Sequence, residues 1–172
     1  IPSAPGKRFS GDDKVTDLLL KCHKASVQKD DYSGLLTRIK ERYNEIINEL
    51  KLNCTLDNEF EIIENNLKAG CSIDYMASRG EYLNGILLAN YLGFEFIDSA
   101  QVIFFAEDGT FDAEKTNDCL SKVLENTPKA VIPGFYGSDS NGKVKIFSRG
   151  GSDITGSIVA RAAEADLYEN WT

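Results

Sequence analysis

Histidine is nearly absent from this chain: His23 is the only one in 172 residues, alongside one methionine, one tryptophan and four prolines. A lone histidine leaves no second ring for a His-based metal site, and a Ser-His-Asp arrangement would have to be built on His23 itself. Its place beside Cys22 in a helical stretch makes His23 structural. Cysteine is sparse and scattered. Cys22, Cys54, Cys71 and Cys119 show no C-x-x-C spacing, so neither a zinc site nor a disulfide framework is indicated, and a reduced, cytoplasmic protein is the expectation. Cations are outnumbered, 19 against 27 acidic residues, giving a formal net charge of −8 and a pI near 4.7. That balance disfavours nucleic acid and anionic membrane as partners, because both reward basic surfaces. No apolar run approaches the roughly 20 residues that span a bilayer. What is present is 42% hydrophobic content, enough for one sizeable core and a single domain.

The apolar periodicity predicts a mixed architecture. Asp12 or Asp13 can cap a helix carrying Val15, Leu18, Leu19 and Cys22, and a second helix carries Leu35, Leu36, Ile39, Tyr43, Ile46, Ile47 and Leu50. Asp57 starts a third with Phe60, Ile63 and Leu67, while Lys40, Glu41, Arg42 and Glu45 form a solvated face. Ser78 and Glu81 fit a Ser-x-x-Glu capping box opening a helix through Tyr91, closed by Gly93. Strands are expected over 94–98, 102–105, 129–133 and 143–147, the last two joined by the 138–142 turn, with a helix over 112–125 and a further strand over 166–171. Strands alternating with helices argue for an α/β layered fold with a largely parallel core sheet.

The most informative stretch is Ser148-Arg149-Gly150-Gly151-Ser152-Asp153, where a strand gives way to a helix carrying Ile154, Ile158, Val159 and Ala162. Paired glycines let a ligand approach the backbone, free N–H groups at a helix start favour negative charge, and Arg149 offers a planar fork for carboxylate or phosphate. The same run also reads as an ordinary helix start, capped by Ser152 or Asp153 with Arg149 at the surface.

This run resembles the Arg-Gly-Gly-Ser-Asp signature of the aspartokinases, and other segments match that family in order. Pro2-Ser3-Ala4-Pro5-Gly6-Lys7 with Val15-Thr16-Asp17-Leu18-Leu19 is similar to its Ser-Ala-x-x-Gly…Thr-x-Leu-Leu stretch, with an insertion over 7–14. Ser78-Arg79-Gly80-Glu81 resembles its Gly-Glu helix start, Ile132-Pro133-Gly134-Phe135-Tyr136-Gly137 its Gly-Phe-x-Gly strand end, and Glu169-Asn170-Trp171-Thr172 a segment ending in Trp-Thr-Asp. The resemblance implies the layered α/β/α amino-acid-kinase fold, carbamate-kinase-like, with residues 1–172 as a partial catalytic domain. This is its substrate-binding lobe, with a helical lid region at about 30–70. It also implies that the chain is a piece of a longer enzyme. A Lys-Phe-Gly-Gly segment would precede it, and the rest of the ATP-binding lobe and ACT regulatory domains would follow.

The activity so implied is transfer of the γ-phosphoryl group of ATP, with Mg²⁺, to the side-chain carboxylate of L-aspartate, in lysine and threonine biosynthesis. The full-length parent is expected to be a homo-oligomer, dimer or tetramer. Carried over residue by residue, Arg149 and Asp153 are the catalytic candidates. Ser3, Ala4, Thr16, Glu81, Phe135, Arg149, Gly150, Gly151 and Ser152 line the substrate pocket, Trp171 and Thr172 begin the nucleotide side, and no metal ligand is assigned. Glu81 would answer the substrate ammonium, although a capping box alone accounts for a Glu there. Kinases acting on glutamate or acetylglutamate share the fold and the carboxylate chemistry, and a non-catalytic ligand-binding module on the same lobe is the alternative outside enzymes.

Overall fold

The apolar-striped runs of the first half fold as four helices in the computed structural model, which describes residues 1–148 and 150–171. They are α1 (Val15–Gln28), α2 (Ser33–Glu49), α3 (Asp57–Lys68) and α4 (Ile73–Leu92). Their stripes meet in one core: Leu19 and Cys22 of α1, Ile39 and Tyr43 of α2, Phe60 and Ile63 of α3, and Met76 and Leu83 of α4 are all buried. Full burial of each such side chain is worth about 1.5–3 kcal/mol, so this helical cluster is a stabilising body in its own right. Glu41 and Glu45 face solvent as expected, whereas the Lys40 ammonium lies 5.5 Å from the centre of the Phe60 ring and Arg42 is half-buried.

The second half is α/β. Its elements are β1 (Glu95–Phe96), α5 (Ser99–Val102), α6 (Ala113–Asn126), β2 (Ala130–Val131), β3 (Tyr136–Ser138), β4 (Val144–Ile146) and α7 (Gly151–Ala162). β1 and β2 pair in parallel, with Glu95 opposite Ala130 and Phe96 opposite Val131. The expected hairpin of 129–133 with 143–147 does not form, because Ala130–Val131 is taken up by β1; the 138–142 turn instead joins β3 and β4 as the antiparallel pair, with Gly137 opposite Lys145, and Phe104 joins Ser138 through a parallel bridge. α4 covers these strands on one side, and α6 and α7 cover the other, where Ile103, Phe105, Leu120, Ile132, Phe147 and Ala162 make a second core. The layers are therefore helix, strand, helix.

Four further local expectations need correction. Asp12 and Asp13 do not cap α1, whose N-cap is Lys14 without a side-chain cap bond. Asp12 instead accepts from the Arg8 Nε at 2.8 Å, and Asp13 pairs with Lys21 and Arg38. Charged donors outcompete neutral backbone N–H groups for a carboxylate. The Ser78–Glu81 box does not open α4: that helix starts five residues before Ser78, capped by Ser72, whose hydroxyl accepts from the Tyr75 N–H. Ser78 and Glu81 are thus buried mid-helix residues. Val102 closes a four-residue helical turn capped by Asp98, so only Phe104 and Phe105 of the expected 102–105 strand make bridges. Residues 166–171 form no strand among the described residues, and Leu167 and Trp171 there are exposed.

Candidate active site

Four stretches far apart in sequence converge beside α4. The chain at 2–4 lies along that helix, fixed by the Asn84 Nδ2, which donates to the Ser3 carbonyl at 2.7 Å. The approach requires glycine at position 80, since a Cβ there would stand 2.7 Å from the Ala4 Cβ and 3.6 Å from Val15 Cγ1. The same stretch reaches the strand end, where the Gly134 N–H donates to the Pro2 carbonyl at 3.0 Å. Gly134 in turn packs on the start of α7: a Cβ on it would come within 2.8 Å of the Ser152 Cα, and one on Gly151 within 2.8 Å of the Phe135 Cα. Ser3–Ala4, Gly80–Glu81, Gly134–Phe135 and Gly150–Ser152 are thus linked in one chain of contacts.

Glu81 is buried, and among the described residues its Oε2 has no hydrogen-bond partner. Desolvation pushes its pKa up to about 7, against the backbone N–H groups of Glu81 and Ala4 and the charge of Arg79, which favour the anion. A buried carboxylate left with an unanswered oxygen is suited to receive a cation. The neighbouring helix contributes Tyr43, which is fully buried and donates its hydroxyl to the Gly80 carbonyl at 2.7 Å.

At the other end of the site, α7 begins from Gly150, whose φ of 57° lies in the left-handed region and which makes no side-chain cap bond. Neither Ser152 nor Asp153 caps the helix. The Asp153 carboxylate is exposed and accepts from the Asn170 Nδ2 at 3.0 Å, placing it toward the segment that leads to Trp171. Phe135 is half-buried with a φ of 83°, unusual for a side-chain-bearing residue. Thr16 sits in the first turn of α1, next to the Val15 that borders Gly80. Trp171 is exposed and joins none of these contacts. Arg149 and Thr172 lie outside the described residues.

Sequence reasoning missed Arg79. This buried guanidinium is stacked among the rings of Tyr82, Tyr75 and Tyr136 at 4.3, 4.5 and 5.4 Å and donates to Ser78 Oγ and the Tyr75 carbonyl. The Tyr136 hydroxyl donates to Asp98 at 2.8 Å, so the cage ties α4 to β3. A signal was available, because Tyr75 and Tyr82 flank Arg79 at helical spacings of four and three.

This combination of a layered α/β body, a glycine-locked strand end and an N–H-rich helix start has relatives. A family model described as the amino acid kinase family matches residues 9–172, and the chain belongs to that family. Within it, the chain is 33% identical over 186 aligned positions to Aspartokinase 3 of Bacillus subtilis, covering 100% of this chain and 41% of the relative. The crystal structure of Clostridium acetobutylicum aspartate kinase superposes with a TM-score of 0.96 at 50% identity, covering 99% of this chain and 40% of that one. Escherichia coli aspartokinase III, solved in complex with lysine and aspartate, shares the fold, with a TM-score of 0.67 at 22% identity over 92% of this chain and 40% of its own. The chain therefore spans about two fifths of the length of these relatives.

Proposed function

We propose that this chain is the substrate-binding part of an aspartate kinase, which transfers the γ-phosphoryl group of ATP to the side-chain carboxylate of L-aspartate and forms 4-phospho-L-aspartate. The observation that carries the reading is the convergence of Ser3–Ala4, Glu81, Gly134–Phe135 and Gly150–Ser152, with the buried Glu81 Oε2 lacking a partner. An amino-acid substrate brings an ammonium group for Glu81. It brings two carboxylates for the Arg149 fork, the Gly150–Gly151 backbone and the Ser152 hydroxyl.

The acceptor carboxylate has an ordinary pKa of about 3.9 and is already a nucleophile at neutral pH, so no general base is required. The barrier lies in bringing one anion to another, which cations and N–H donors relieve. Asp153 then serves to orient cationic groups. In this reading Thr16, Ser3, Ala4 and Phe135 wall the pocket, Trp171 and Thr172 lead to the nucleotide side, and α2 and α3 are the lid region. Among the described residues no three His, Cys, Asp or Glu side chains gather as a metal cluster, so Mg²⁺ would enter with the nucleotide phosphates and no step is routed through a protein-bound metal. A cytoplasmic setting, homo-oligomeric assembly and feedback control in lysine and threonine biosynthesis belong to the same proposal. No helix among the described residues is long and apolar enough to cross a membrane.

The test is a coupled ADP-release assay on the full-length parent enzyme with aspartate, glutamate and acetylglutamate. Aspartate-dependent release with the other two near background is the expected result, and turnover of either rival with none of aspartate overturns it. Residues 1–172 alone are expected to release no ADP.

A further inference from the structure

We propose that Thr155 is a positioning residue that locks the substrate-reading start of α7 to the strand end at Gly134–Phe135; the proposal rests on the aspartate-kinase reading. Thr155 is fully buried, and its hydroxyl is held by the backbone of two pocket residues. Its Oγ1 donates to the Gly151 carbonyl at 2.8 Å, a bond that threonine makes routinely inside a helix. The second bond is not routine. The Phe135 N–H, 20 residues away in sequence, donates to the same oxygen at 3.1 Å.

That N–H belongs to a residue with a strained backbone. Phe135 holds a φ of 83° without being glycine, and such conformations persist only where the surroundings over-determine them. Here the surroundings are Thr155 Oγ1 on the N–H and the Phe147 N–H, which donates to the Phe135 carbonyl at 2.9 Å. Two close approaches at glycines then interleave across the seam: Gly134 against Ser152 and Gly151 against Phe135. Neither backbone can slide without the other while the hydroxyl bridges them. The consequence is that Gly151 and Ser152, which read the substrate carboxylate, keep a fixed distance from the Phe135 wall. Through the Gly134 bond to Pro2 they also keep it from Ser3–Ala4.

Thr155→Val keeps the shape and removes both bonds, whereas Thr155→Ser keeps the hydroxyl. In the full-length parent, Thr155→Val should lower kcat/KM for aspartate about ten- to hundredfold, mostly through KM, as expected for a displaced binding group. The KM for ATP should stay within about twofold, and Thr155→Ser should recover aspartate use to within a few-fold. Amide hydrogen exchange gives a readout independent of activity: Phe135 should lose protection in the Val variant and keep it in the Ser variant.

Unchanged Phe135 exchange in Thr155→Val overturns the lock whatever the kinetics. So does an aspartate KM equal to wild type, or a loss of rate that affects both substrates alike and follows a lowered Tm. A wild-type parent that does not use aspartate sinks the functional reading instead, and the exchange experiment still decides whether Thr155 holds Phe135.

Discussion

Glu81 is the residue on which the electrostatics of the site turn. Burial raises its pKa from 4.5 to about 7, so near neutral pH the acid and the anion are both populated in the folded protein. A raised folded-state value means that its contribution to stability is complete below about pH 4.5 and is lost as pH rises through about 7. Glu81→Gln, which cannot ionise, should therefore gain on wild type between pH 5 and pH 8 by up to about 3 kcal/mol, read from chemical denaturation at the two pH values. Substrate binding runs the other way. An ammonium group favours the anion, so the aspartate KM of the parent should fall from pH 6 to pH 8, and Glu81→Gln should flatten that slope. A pH-independent KM in wild type would separate Glu81 from the ammonium.

Single residues were unevenly legible in the sequence. Glu81 is legible through the resemblance as the partner of a substrate ammonium, but its place in the helix is not, because a Ser-x-x-Glu run looks the same whether it opens a helix or lies inside one. Ser72, six residues earlier, holds the capping position. Arg79 shows in the sequence only through the helical spacing of Tyr75 and Tyr82, and Thr155 through nothing that assigns it a role; their partners Tyr136 and Phe135 are brought near by the tertiary fold alone.

At the scale of elements, the start of α4 is set by Ser72, and Ser72→Ala should cost about 1 kcal/mol in denaturant unfolding. No loss there would mean that tertiary packing alone fixes the start of α4. The strands are short, and their closeness matters more than their length: a Cβ on Gly137 would collide with the Ile103 carbonyl oxygen and stand 2.9 Å from the Ile103 carbonyl carbon. Because the obstacle is backbone, Gly137→Ala should cost about 1–3 kcal/mol and lower Tm, while an unchanged Tm would show that β3 can shift freely. The helices were readable because their stripes repeat over three or more turns, as in α2, where Leu36, Ile39 and Tyr43 are buried as the period requires. The 102–105 stretch misled because four apolar residues carry no period of their own. Asp98 accepts from the Ala100 N–H and turns the chain into a helix before it extends.

For the whole molecule, two cores flank the site: a helical one from α1–α4 and a layered one around β1–β4, α6 and α7. α4 belongs to the first and covers the strands of the second, so Glu81 and the α7 start sit on different bodies joined through the 2–4 stretch and the Gly134 turn. A small substrate held from both sides would couple them. The order of the four motifs along the sequence was enough to indicate the family, but their meeting depends on close approaches at Gly80, Gly134 and Gly151 that no periodicity encodes.

The central claim is that Glu81 and Arg149 grip one aspartate from opposite ends. It is tested most directly by a double-mutant cycle on the full-length parent, combining Glu81→Gln with Arg149→Lys, with aspartate kcat/KM measured for all four forms and Tm alongside. Each single variant is expected to lose about ten- to hundredfold, as for one charge-assisted hydrogen bond, and the double variant to lose less than the product because the two residues share one ligand. Wild-type aspartate kinetics in Arg149→Lys, fully multiplicative losses, or defects that merely follow Tm would contradict it.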